Sequence, residues 1–541
     1  MSRSTIPFLF VVLALPVLGQ PPLSRVNPAV KQVVDQVSEE RISAIMKKLE
    51  SFGTRYVGSE KDNPAHGIGG AQHWIYDQFK SFSPRLEVSY DTFTVKKSQR
   101  LPEDTELSNV VAILPGTVDK DHYVMIGGHY DSIALRRQTG QANQPNDDGP
   151  RSAAEQEPLA PGVADDASGT AAVMELARVM SQYEWDKSII FIAFTAEEIG
   201  LNGSRNFANK AKEQNMQIEA LLNNDIIGSD ISGDGRSANG HVRVFAEGPD
   251  DSPARTLCRY VKEIGERYMP SMTVDMIFRR DRFSRGGDQT PFVQAGFAAV
   301  RFTTPSENYA NQHTATDTFA NASVPYTTRV AKVNAAVLAS LALAPKPPQV
   351  RRPGGFGRGG AGRGAAGASA DGGRGADAGR GADAGRGAAG DTAANPRAGA
   401  NGANAAAGGQ GAAGGGRGRG RGPAGPGLTR GTSGYDAALR WAMPNPEPDL
   451  AGYAVVIRST TAATWEREIY VGNVTEYTIP NLSIDDVVIG VKAIDKDGNQ
   501  SLVSVYDQAP MNAGGQQGGR GADGAAGGRG ADAGRGGGGG Q

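Results

Sequence analysis

Five short stretches hold the residues best suited to chemistry. Glu197 and Glu198 are adjacent carboxylates that close an apolar run over residues 188–196. A carboxylate buried without a partner is strongly disfavoured, so a pair in such a place calls for something positive nearby. His129 and Asp131 lie in Gly127-Gly128-His129-Tyr130-Asp131-Ser132, and Asp165 and Asp166 in Gly162-Val163-Ala164-Asp165-Asp166-Ala167-Ser168-Gly169. Asp225 follows Asn223-Asn224, and His313 sits in Gln312-His313-Thr314 after an Asn-rich stretch. Taken singly, each has a plain reading: a polar strand end for His129, a helix cap for Asp165 or Asp166, a turn former for Asp225, a solvated turn for the glutamates. Taken together, two imidazoles and several carboxylates form the nitrogen and oxygen donor set of zinc. The chain has six His and one Cys, so a structural thiolate site is excluded. The lone Cys258 lies in a helix-like run, residues 254–261, and reads as a small buried side chain.

Positioning such a set requires strand ends that converge. Apolar periodicity predicts helices over residues 27–52 (Val30, Val33, Val34, Val37, Ile42, Ile45, Met46, Leu49) and 68–82 (Ala71, Trp74, Ile75, Phe79). Residues 86–95 alternate as a strand. The runs 109–114, 123–128, 188–194, 220–225 and 296–302 read as buried strands, with helices over 168–180 and 330–343. Strands alternating with helices predict a three-layer α/β/α domain with a mixed central sheet. Strand ends at one edge of such a sheet meet at a ligand crevice, which is where the five stretches fall.

The remaining organisation follows from composition. Residues 1–20 have a short basic start, an apolar core and a small-residue exit, which is a secretory signal and too short for a membrane span. This predicts a secreted or periplasmic protein without stable membrane insertion. The formal net charge of −2 gives no general attraction to nucleic acid. The catalytic domain is expected over 21–345. Residues 346–432 repeat Gly, Ala, Arg and Asp with too little apolar content for a core, and read as a disordered linker, as does a Gly-rich tail over 511–541. Between them, 433–510 has the short strands and turns of an all-β sandwich. It resembles a fibronectin type III domain: Trp441 as core tryptophan, Leu482 ahead of the sixth strand, and Ala493-Ile494-Asp495 leading to Gly498 and Ser501. Ile489 departs from the tyrosine usual in that family. Such a module can serve surface or matrix contact.

The order His-x-Asp, Asp-Asp, Glu-Glu, Asp, His resembles the co-catalytic di-zinc aminopeptidases of the secreted bacterial leucyl type, over about residues 33–345. The resemblance implies two Zn2+ ions, with His129 and Asp225 holding one, Glu198 and His313 the other, and Asp165 bridging. It implies Asp131 as the group orienting His129, Glu197 as the general base, and a cis peptide between Asp165 and Asp166. Several features depart from the pattern. Residues 133–161 are long and polar (Arg136, Arg137, Asp147, Asp148, Glu155, Glu157), either a lid or a disordered insertion. Gln312 stands where several relatives place an oxyanion-stabilising tyrosine, a role left to Tyr309. Gln289 replaces His in a Ser-Asp-His-x-Pro-Phe-like loop, Arg285-Gly286-Gly287-Asp288-Gln289-Thr290-Pro291-Phe292.

The leading expectation is an exported zinc aminopeptidase acting on peptides with a free N-terminus. A carboxypeptidase or dipeptidase with the same metals is the alternative. It needs a cation for the substrate carboxylate, with Arg279, Arg280, Arg282 and Arg285 as candidates. A glutaminyl cyclase using one zinc and a non-catalytic binding protein rank lower.

Overall fold

A computed structural model describes residues 26–135, 159–283, 285–350, 428–430, 436–443 and 447–506. The signal segment 1–20, the charged residues 136–158, most of the linker and the tail 511–541 lie outside these.

The helical spacing of residues 27–52 resolves into two helices, α1 (Pro28–Gln36) and α2 (Glu39–Glu50), rather than one. The break has a local cause. Ser38 is extended and its hydroxyl accepts from the Arg41 N–H, capping α2. Asn27 caps α1 in the same way, followed by Pro28 in the first helical turn. Next come α3 (Gly67–Phe82), β1 (Glu87–Val95), β2 (Thr105–Leu114), β3 (Asp119–His129), α4 (Ser168–Met180), β4 (Lys187–Phe194), α5 (Asn202–Glu213) and β5 (Gln217–Asn224). Then follow β6 (His241–Phe245), α6 (Pro253–Tyr268), β7 (Thr273–Ile277), α7 (Gln289–Ala295), β8 (Ala299–Thr303) and α8 (Val324–Leu343). The short strands β6 and β7 and the helices α5 and α7 carry too few periodic residues to have been expected from sequence.

These strands form one eight-stranded sheet in the order β1-β2-β4-β3-β5-β8-β6-β7. β4, β3, β5 and β8 run parallel, and β2 and β6 flank them antiparallel. Strand β4 shows why helices must cover both faces. Ile189, Phe191 and Ala193 join the large core under α1 to α4, α6 and α8. Ile190, Ile192 and Phe194 face a second core with Phe207 and Ala211 of α5 and Phe292 of α7. A continuous apolar run with alternate residues in two cores is the mark of a central strand in a three-layer α/β/α fold.

The sandwich consists of β9 (Gln349–Val350), β10 (Leu428–Arg430), β11 (Ala437–Ala442), β12 (Leu450–Ser459), β13 (Arg467–Gly472), β14 (Glu476–Ile479), β15 (Val487–Asp495) and β16 (Ser504–Val505). One sheet runs β10-β11-β14 with β9 also on β11, the other β13-β12-β15-β16. Trp441 is buried between them, its ring 5.4 Å from that of Tyr453. Strands β9 and β10 belong to the stretch expected to be linker; pairing with β11 gives their backbones partners there. The sandwich packs on α6 and does not stand apart from it. Arg458 makes a bidentate pair with Asp251 (2.7 and 2.8 Å), and Arg259 donates to the Ala463 carbonyl (2.7 Å). The Tyr260 hydroxyl donates to the Gln500 carbonyl (3.1 Å).

Candidate active site

Strand β3 lies between β4 and β5 with all three parallel, so their carboxyl ends open a crevice at the point where the chain order reverses. His129 is the last residue of β3, and Asp225 directly follows β5. Strand β4 ends at Phe194, where the sequence placed its end. Ala196 then takes a left-handed conformation (φ 59°), and the chain turns through Glu197 and Glu198. That bend lets neighbouring carboxylates face one site, which a straight strand with alternating side chains would prevent. Asp165 sits in a wide turn, Val163–Ala167, ahead of α4, and the Asp165–Asp166 peptide is cis.

Asp165 stands between the two histidines. One of its oxygens is 3.1 Å from His129 Nε2, the other 3.0 Å from His313 Nε2. His129 Nε2 is also 3.8 Å from Asp225 Oδ1, and His313 Nε2 is 3.2 Å from Glu198 Oε2. The ligand atoms of His129, Asp165 and Asp225 form one tight group, and those of Asp165, Glu198 and His313 another. Glu197 groups with His129 and Glu198. His129 Nε2 and Glu198 Oε1 are buried without a hydrogen-bond partner among the described residues. Burial without a partner is costly for such atoms. Two nitrogens and several carboxylate oxygens, some left unpaired, fit divalent zinc. Burial disfavours a charged His129, but the neighbouring carboxylates of Asp131, Asp165 and Asp225 raise its pKa well above the usual imidazole range. Burial likewise raises Glu197, with further repulsion from Asp225, Glu198 and Asp288 and relief from His129. Both shifts report the same excess of negative charge that a cation would neutralise.

Around this set lie supporting contacts that sequence reasoning did not find. Arg55 is wholly buried. It donates to the carbonyls of Tyr130 (2.6 Å), Leu49 (3.1 Å), Pro161 (2.6 Å) and Gly162 (2.8 Å), tying the end of β3 to the turn that carries Asp165. Asp317 accepts from the backbone N–H groups of Ala164 (2.9 Å) and Asp165 (3.1 Å). Burial pushes its carboxyl up to about 7. Asp166 accepts from the N–H groups of His129 (3.2 Å), Gly169 (2.9 Å) and Ile226 (3.2 Å), joining β3, α4 and β5 at their shared edge. Arg301, fully buried on β8, lies 3.0 Å from Asp225 Oδ2. For Asp317 an acidic residue in the His313 loop was a usable signal; for Arg55 and Arg301 no local pattern exists.

Asp131 accepts from the N–H groups of Glu197 (3.2 Å) and Glu198 (3.3 Å), and its Oδ1 is 3.6 Å from His129 Nδ1. The Asp131 carbonyl is nearer that nitrogen, at 3.1 Å, so it is the backbone that holds the ring directly. Gln312 donates to Asp165 Oδ2 at 3.1 Å. Tyr309 is half exposed with Arg282 over its ring, and it is not part of the cleft lining. Cys258 is buried, its thiol pushed up to about 12, as a packed and inert sulfhydryl should be. The cleft holds ≈ 540 Å³, with Leu135, Ile199 and Leu201 beside the metal-type residues and Arg285 and Gly286 also lining it. No helix among the described residues is long and apolar enough to cross a membrane.

The chain is similar to several known proteins. A probable zinc metalloprotease of Leptosphaeria maculans is 30% identical over 504 residues, covering 87% of this chain and 95% of the relative. Another, from Pyricularia oryzae, is 31% identical and covers 86% of this chain and 82% of its own. Among solved structures, the Legionella pneumophila LapA aminopeptidase aligns at 20% identity and a TM-score of 0.44, covering 59% of this chain and 76% of that one. A Fimbriiglobus ruber glutaminyl cyclase aligns at 19% and 0.43, covering 56% and 95%. The family described as Peptidase family M28 matches residues 109–338, the stretch that carries every candidate ligand. The chain is a member of peptidase family M28.

Proposed function

We propose that the chain is an exported two-zinc aminopeptidase, hydrolysing the peptide bond next to a free N-terminus. The observation that carries this reading is Asp165, whose two oxygens each face a different histidine at 3.0–3.1 Å. One carboxylate shared in this way is what a pair of metals needs. His129 and Asp225 would hold one zinc, and Glu198 and His313 the other. Bound there, the metals would polarise the scissile carbonyl and acidify a shared water.

The chain's own residues do the rest. Glu197 accepts a proton from the attacking water and returns it to the leaving amine; its raised basicity suits that exchange. Asp131 holds the Glu197–Glu198 turn through two N–H groups. Gln312 anchors Asp165 and takes the place of a tyrosine in the family pattern. Leu135, Ile199 and Leu201 offer an apolar wall for the first side chain of a peptide.

The test combines metal analysis with Glu197→Gln. The purified chain is expected to carry two zincs and to cleave a leucyl anilide but not an N-blocked peptide. The variant is expected to keep both zincs and lose roughly 10²- to 10⁴-fold in kcat. One zinc per active chain, or full activity in the variant, overturns the proposal.

A further inference from the structure

Beside one wall of the cleft, guanidinium nitrogens stand without an acceptor among the described residues. Arg285 and Gly286 line it, together with Asp165, Glu197, Glu198, Asp225 and His313. Among the described residues, Arg243, Arg285 and Arg301 converge on the carboxylates of Asp281 and Glu307. Asp225 also meets Arg301, but in a metal-loaded site its charge is committed to the metal. The pairings of Arg285 are long: Nε is 3.7 Å from Asp281 Oδ2, and Nη1 is 3.7 Å from Glu307 Oε2. Neither is a hydrogen bond. Nη1 of Arg285 and Nη2 of the fully buried Arg301 have no acceptor among the described residues. A buried guanidinium nitrogen without an acceptor is costly, and a carboxylate is its best-matched ligand.

The loop's shape brings this charge next to the reacting centre. A Cβ on Gly287 would stand 2.9 Å from Asp225 Oδ2 and 3.2 Å from Arg301 Cδ. The absence of a side chain at Gly287 is what lets the backbone near Arg285 lie against a metal-type residue. Burial disfavours the charged form of Arg285, and Glu307, Asp225, Asp165 and Asp281 favour it. An extended chain advances roughly 3.5 Å per residue, so an anion held here belongs to a residue close to the scissile bond and not to a distant part of a long substrate.

We infer that Arg285, supported by Arg301, is a carboxylate-binding subsite and that it makes short peptides, dipeptides foremost, the substrates. This rests on the aminopeptidase reading and narrows it. The substrate presents its amine to the metal-rim carboxylates and the carboxylate of the leaving residue to Arg285. An acidic side chain on the leaving residue offers the same chemistry, and the assay separates the two.

The experiment measures kcat/KM on the full zinc-loaded chain for leucyl-leucine, leucyl-leucinamide and leucyl-aspartic acid α-amide. Leucyl-leucine is expected to exceed its amide on the order of 10- to 100-fold, the range of a charge-assisted contact. Arg285→Gln should collapse that ratio toward one through KM, and Arg285→Lys should keep part of it. A preference for the aspartyl amide, lost in Arg285→Gln, keeps the subsite and assigns it to side-chain carboxylates. Equal rates on acid and amide, or an unchanged ratio in Arg285→Gln with an unaltered melting temperature, overturn the subsite while leaving the aminopeptidase in place. If no substrate is cleaved, the peptidase reading falls. The subsite is then decided by calorimetric binding of N-acetyl-leucine against N-acetyl-leucinamide: a preference for the acid that Arg285→Gln removes supports it, and equal binding overturns it.

Discussion

Asp131 serves more residues than the one imidazole it was expected to orient. Its two oxygens accept from successive N–H groups of Glu197 and Glu198, while its own carbonyl faces His129 Nδ1. One buried residue thus sets a metal-type imidazole on β3 and the turn that carries both glutamates after β4. Replacing it by Asn puts an amide donor where an acceptor is needed, opposite one of two N–H groups. Partners of this kind are typically worth about 10- to 100-fold in metal affinity. We expect Asp131→Asn to weaken zinc binding by that factor, measured by competition with a chelator. Unchanged affinity would show that the backbone carbonyl alone suffices. The seven residues singled out in the sequence, His129, Asp131, Asp165, Glu197, Glu198, Asp225 and His313, all lie at one edge of the sheet. Six were legible because each sits close to a strand or helix end whose local pattern is strong; His313, in the irregular loop between β8 and α8, was legible only as the last member of the joint motif. Arg301 was not legible. Its closeness to Asp225 depends on β8 lying beside β5, with Asn223 opposite Arg301, and that pairing is set by the whole sheet.

At the scale of elements, the site is a meeting of three strand ends with the start of one helix, and glycine permits the approach. A Cβ on Gly169, in the first turn of α4, would lie 2.3 Å from Asp166 Oδ2 and 2.6 Å from the Asn224 carbonyl. One of those neighbours is backbone and the other is a carboxylate fixed by three N–H groups, so neither can give way. Gly169→Ala should force α4 off the β5 end and displace Asp165 and Asp225 from each other. The expected result is loss of the two-metal stoichiometry together with a lower melting temperature. A variant that keeps both would show that the edge tolerates separation. The strands β2, β3, β4 and β5 were read correctly because runs buried on both faces are nearly continuous in apolar residues. The strands β6 and β7 are five residues each at the sheet margin, with half-exposed positions that blur the pattern. The end of β4 at Phe194 was legible, but the left-handed turn that follows at Ala196 has no signature in a non-glycine residue.

For the whole molecule, composition separated the sandwich from the catalytic body, and the fold joins them. Arg458 and Asp251 clamp one edge, Tyr260 reaches Gln500, and Asn27 at the start of α1 donates to Asn499 Oδ1 at 3.0 Å. Asn499 is in turn held by Asp495, which accepts from its N–H (2.8 Å) and its Nδ2 (2.7 Å). Asp495 therefore fixes the turn that the N-terminal segment grips. Burial pushes its carboxyl up to about 6, against hydrogen bonds from Asn499 that lower it, with added repulsion from Asp449 and Asp497. A carboxyl whose pKa is raised by folding prefers the neutral form in the fold. Its favourable contribution is complete below the ordinary value of 3.8 and is lost as pH rises through about 6. Asp495→Asn fixes the neutral state and keeps one acceptor for the Asn499 N–H. The melting temperature of the variant minus that of the parent should accordingly be near zero or slightly negative at pH 4, where the parent is neutral and has both acceptors. It should grow more positive between pH 4 and 7 and then level off. Taking the difference removes the effects of pH on the metal site, which both proteins share. A difference that stays flat across this range would mean that Asp495 ionises without cost, and that the union of sandwich and catalytic body does not depend on its charge.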